Sequence, residues 1–168
     1  MTAADALMTI AEMSVGFAGF SAVVGVFTTR GELSRLDRFR FVFLFTSAFA
    51  AAVLAFVPIL LSESGFEGPE LWVASSGTMV VVWLLGAVFG ARNRVPLTSS
   101  LVEGPLMSIP SVGNLVIQIG NVWGAFWHPS PAIYIAGNLI WLYVTGLIFV
   151  SIVIERPGAH QANEADVE

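Results

Sequence analysis

The sequence predicts an all-α membrane protein, a bundle of five transmembrane helices with the N-terminus outside and the C-terminus cytoplasmic. Three observations carry that prediction. The 168-residue chain is 56% hydrophobic and 11% charged, with a mean hydropathy of +0.81, whereas a soluble domain is about 45–50% apolar and about 25% charged. Long apolar stretches recur along it, parted by short polar ones. The basic residues, all seven of them arginines, fall on alternate connections, as they do when cytoplasmic loops retain positive charge.

The elements follow in order. Segment 6–28 is long enough to cross roughly 30 Å of hydrocarbon at about 1.5 Å per residue. The preceding "MTAADALMTIAEM" has no basic start, so the segment is expected to stay as a span and not to be cleaved as a signal peptide. The loop "RGELSRLDRFR", with Arg30, Arg35, Arg38 and Arg40, is expected in the cytoplasm. Arg35, Arg38 and Arg40 lead into Phe39 and Phe41 and are candidates for contact with anionic lipid headgroups. Segment 39–61 is the second span, with Pro58 expected to kink it near its outer end. "SESGFEGP" carries acids and no arginine, which suits the outside, and Pro69 with Glu70 opens the third span, 71–91.

"ARNRVP" then returns Arg92 and Arg94 to the cytoplasm. Segment 106–127 is long enough to cross, but Asn114, Gln118 and Asn121 oppose its insertion. If it crosses, "HPSP" is a tight outer turn and Arg156 joins the other arginines on one side. The alternative is four spans plus a re-entrant or interfacial segment, with Arg156 as the exception. Segment 132–154 is the last span, and Trp72, Trp127 and Tyr134 fall at outer ends, where an aromatic belt belongs. Residues 1–156 form one bundle, and the acidic tail 157–168 is expected to be disordered.

Helices in lipid meet through small residues that permit close approach. Ala18/Ala22 and Ser21/Gly25 in the first span, Ser47/Ala51/Ala55 in the second, and Gly86/Gly90 with Ala87/Ala91 in the third supply such faces. They pack the chain on itself or build a homo-oligomer.

The polar residues at membrane depth are the candidate site. Glu12 shares a helical face with Asp5, Gly16, Gly19, Val23 and Arg30, opposite Ala18, Ser21 and Gly25. Asn121 and Asn138 stand at a similar depth, and Ser75 and Ser76 slightly shallower. A polar layer of Glu12, Asn121 and Asn138 is therefore expected, either a structural group or a proton- or cation-binding carboxylate. In the fourth segment Ser111, Asn114, Gln118, Asn121 and His128 follow helical spacing. Such a stripe lines a hydrated path or bonds neighbouring helices together.

Several chemistries are set aside. The chain has no cysteine and only two histidines, so no metal site or thiol chemistry is expected. Its net charge of -5 offers nothing to nucleic acid. It carries no phosphate loop, His-Glu-x-x-His or serine elbow, and neither enzymatic activity nor a cofactor is expected.

Ala18-Gly19-Phe20 in the first span, Tyr134, Gly137, Trp141 and Phe149 in the last, and Asn121 before it resemble uncharacterised small multispan bacterial inner-membrane proteins. The resemblance implies a multi-pass protein of that membrane ending in a helical hairpin, and no particular activity. Two functional readings follow. One is a small homo-oligomeric channel or transport-type protein. The other is a structural or accessory subunit of a larger membrane complex. Either way the partners are the bilayer and a second copy or complex component.

Overall fold

The computed structural model describes residues 2–28, 35–93, 103–124 and 128–154, which hold five α-helices and no strand. They are α1 (Ala3–Thr28), α2 (Arg35–Glu63), α3 (Gly68–Asn93), α4 (Glu103–Trp123) and α5 (Pro131–Ile154). Four contain stretches long and apolar enough to cross a membrane: Ala3–Val23, Arg38–Glu63, Gly68–Arg92 and Pro131–Ile152. The fourth segment is also a helix, α4, starting three residues earlier than expected and ending at Trp123. At about 1.5 Å per residue it is roughly 31 Å long. It carries Asn114, Gln118 and Asn121 and is not among those four.

The α2–α3 connection shows how a short stretch reverses the chain. Gly65 takes a positive φ of 92° after the last turn of α2. Its N–H donates to Ser62 O at 3.0 Å, and the Phe66 N–H reaches back to Leu61 O at 3.1 Å. That pair of bonds is a Schellman motif, which satisfies carbonyls the helix end would leave bare. Gly68, with φ of 55°, then opens α3. At the other hairpin, Ser130 and Pro131 supply a favoured cap residue and a favoured first helical residue for α5.

The helices form a ring in chain order, α1–α2–α3–α4–α5, closed by α5 against α1. α5 also crosses the middle, touching α2 and α3, so it meets all four others. One apolar cluster joins Leu7, Ile10 and Ala11 of α1, Leu54 of α2, Met79 of α3, and Tyr134 and Leu142 of α5. A second, at the opposite end, joins Leu44 to Ile148 and Ile152. Phe17 packs edge-on to Phe149 at 6.4 Å between ring centroids. The surface is apolar too: Met13, Phe20, Phe45, Phe49, Leu60, Leu85, Ile109 and Leu139 are all exposed.

Consecutive helices alternate in direction, so Arg35, Arg38, Arg40 and Arg92 lie at one end of the bundle. Arg30, Arg94, Arg156, Trp127 and the tail 157–168 lie outside the described residues. Arg38 is exposed, but Arg40 is only 3% exposed and does not face lipid headgroups as expected. It stands one turn before Leu44 and two before Ser47 and Ala48, on the stripe of α2 that turns inward. α2 runs as one helix through Pro58.

Candidate functional site

Asn114, Gln118 and Asn121 recur at i, i+4 and i+7, which places them on one face of α4. That face is turned into the bundle, with exposures of 3%, 1% and 0%. Val112 and Val116, on the other face, are 51% and 57% exposed. α4 is thus polar inward and apolar outward, the reverse of a helix on a water-facing surface.

Each amide donates to a neighbouring element. Asn114 Nδ2 donates to Gly137 O of α5 at 3.1 Å and lies 3.9 Å from Met79 Sδ of α3. Gln118 Nε2 donates to Ile133 O of α5 at 3.0 Å and lies 3.3 Å from Asn114 Oδ1. Asn121 Nδ2 donates to Ser76 Oγ of α3 at 2.8 Å, while its Oδ1 accepts the Ser130 N–H at 3.1 Å. A single side chain therefore ties α3, α4 and the start of α5. Ile133 and Gly137 carbonyls accept these bonds because each carbonyl oxygen has two lone pairs.

The close approach depends on Gly137. A Cβ there would sit 2.7 Å from Asn114 Oδ1 and 3.0 Å from Met79 Sδ, and would overlap Gln118 Nε2. Gly137 is the residue against which two amides lie flat.

One turn before Gly137 on α5, Tyr134 is fully buried and its hydroxyl donates to Leu54 O of α2 at 2.5 Å. Its ring lies 6.2 Å from that of Trp72 in α3. Three turns further on, buried Thr145 has Ser47 Oγ of α2 at 3.3 Å and Trp141 O of its own helix at 2.9 Å. Asn138 is also fully buried, and its Nδ2 donates to Tyr134 O at 3.3 Å within α5.

The expected polar layer does not assemble. Glu12 is exposed and has no hydrogen bond or ion pair within the described residues, and it meets neither Asn121 nor Asn138. The physical reason is the stripe opposite it: Leu7, Ile10, Ala11, Ser14 and Ser21 are the buried side of α1, facing α2 and α5. Asn121 and Asn138 are both buried but bond to different partners. Of the expected stripe on α4, Asn114, Gln118 and Asn121 converge. Ser111 is half-buried and donates to Met107 O of its own helix at 2.6 Å, and His128 is exposed beyond the helix end.

Some members of the buried network carried little signal in the sequence. Tyr134 reads there as an interfacial aromatic, and its bond to Leu54 becomes legible only once Pro58 is recognised as four residues beyond that carbonyl. Among the described residues no group of three or more His, Cys, Asp or Glu comes together. A groove of about 280 Å³ lies between α2 and α3, lined by Phe45, Phe49, Val53, Leu54 and Val82, and it touches none of the amides.

No family model, curated protein or solved structure matches the chain. Fold and geometry alone therefore define its class: among the described residues it is all-helical, with four helices suited to crossing a membrane.

Proposed function

We propose that this protein is a non-enzymatic five-span protein of the bacterial inner membrane that serves as a structural or accessory subunit of a membrane complex. The observation that carries the reading is the use of the α4 amides. Asn114, Gln118 and Asn121 all commit donors to α3 or α5. A stripe lining a hydrated path would turn those donors to water; this one binds helices together.

That α4 crosses the membrane as the fifth span is supported by its outer face, where Leu106, Ile109, Val112 and Val116 are exposed. Its three amide donors are taken up within the bundle. The arginines at one bundle end support a cytoplasmic assignment for that end, with the N-terminus opposite.

The test is reconstitution of the purified chain in liposomes, with mass measurement in mild detergent. The accessory reading expects no ion flux above that of empty liposomes, and a defined partner in the gently solubilised particle. A partner-free preparation that conducts ions overturns it and restores the homo-oligomeric channel.

A further inference from the structure

We infer that the uncovered face of α1, centred on Glu12, docks a transmembrane helix of a different protein that carries an arginine or lysine at the same depth. The inference rests on the accessory reading above and names the chemistry of the partner.

Glu12 lies six residues, roughly 9 Å by helical rise, inside the expected outer end of the first span at Ala6. A glutamate has two methylenes between its backbone and its carboxyl, too few to reach the headgroups from there. The carboxyl has no partner within the described residues, and its neighbours on the surface include Met8, Met13 and Val15, all exposed. An ionisable group at that depth is costly, and normally faces a bundle interior, a cavity or an opposite charge. Among the described residues the fold provides none of these.

The shape of the face fits a helix. Asp5, Glu12, Gly16 and Gly19 lie within an arc of roughly 60° at about 100° per residue. All four are exposed. A Cβ added at Gly16 or Gly19 would meet nothing within 4 Å. The two glycines make an open notch one and two turns below the carboxyl, which lets a second backbone approach closely.

Charge selects the occupant. Among the described residues the face carries two acids and no base, and the arginines of the described helices sit at the far end of the bundle. A second copy laid in parallel on this face would set Glu12 and Asp5 against their own counterparts, and like charges in apposition are strongly disfavoured. A basic side chain on another protein's helix neutralises Glu12 and gives it a charge-assisted hydrogen bond.

The experiment uses the full chain, donor-labelled in phosphatidylcholine vesicles, and acceptor-labelled leucine-rich transmembrane peptides with a central arginine or a central leucine. Energy transfer should show the arginine peptide binding on the order of ten-fold more tightly than the leucine peptide. Glu12→Gln should reduce it to the leucine level, and Gly16→Leu should weaken it. Equal binding of the two peptides, or an unchanged preference in Glu12→Gln, overturns the inference. So does transfer between copies of the chain that Glu12→Gln abolishes, which would assign the face to self-association. Glu12 is exposed and unbonded, so the substitution leaves the fold intact. Ion flux through the same vesicles without peptide would sink the accessory reading, whatever the peptides do.

Discussion

Tyr134 of α5 supplies the hydrogen bond that Pro58 removes from α2. Pro58 has no N–H, so the carbonyl four residues before it, Leu54, has no helical donor. The Tyr134 hydroxyl, 80 residues away in sequence, donates to that oxygen at 2.5 Å. Prolines persist inside transmembrane helices where a neighbour re-satisfies the freed carbonyl, and here the neighbour is a phenol. A helix defect and a helix contact are one interaction.

Tyr134→Phe should therefore destabilise the protein by about 1–2 kcal/mol, the loss expected when a buried carbonyl is left unpaired. In a Pro58→Ala background residue 58 regains an N–H for Leu54 O, and the same change should cost about 1 kcal/mol less. Thermal unfolding in detergent of the four variants measures that coupling. Additive effects would mean that the two residues do not share the carbonyl.

Gly137→Ala should be destabilising by about 1–3 kcal/mol, because its methyl group displaces the Gln118 amide from Ile133 O. Gly86→Ala, where a Cβ meets nothing within 4 Å, should be neutral or slightly stabilising. Combining Gly137→Ala with Gln118→Ala relieves the overlap, so the double variant should lose less than the sum. The same unfolding assay reads all of these.

Asn121→Leu removes both the bond to Ser76 and the acceptor for the Ser130 N–H. The expected loss is about 1–3 kcal/mol, as a buried hydroxyl and a backbone donor are left without this partner. Hydrogen exchange should rise first at the start of α5, where Ser130 is anchored. Protection there equal to that of the unaltered protein would show that Asn121 does not hold the hairpin.

The chain has no cysteine, so single cysteines can map its topology without background. If α4 is a span, cysteines at Ser64 and His128 react with an impermeant maleimide from one side of the membrane, and one at Arg92 from the other. A cysteine at Val116, on the outward apolar face, should stay unlabelled from both sides. Labelling of 64 and 128 from opposite sides would return α4 to a re-entrant or interfacial segment.

Much of the architecture was legible in one dimension. The helix count, the boundaries of α2 and α5 to within a few residues, and the turn at "SESGFEGP" follow from hydropathy, length and punctuation. The inward set of Asn114, Gln118 and Asn121 was legible as a face, because i, i+4, i+7 spacing survives any packing. What the spacing left open was whether that face lines a path or binds helices. Carbonyls of α5 accept the Asn114 and Gln118 donors, and a carbonyl leaves no trace in the sequence. The role of Gly137 was hidden for the same reason, since its function is the absence of a side chain where two amides need room.

The division runs deepest in α1. Sequence by itself determined that this stretch is a helix with two opposed faces, small residues on both and a carboxyl on one. It could not determine which face turns inward. In water, burial of apolar surface would decide, but lipid and bundle interior are equally apolar, and hydropathy loses its sense of direction there. Only the interlocking of Leu7, Ile10, Ala11 and Ser14 with the rest of the bundle made the choice, and it left Glu12 facing outward.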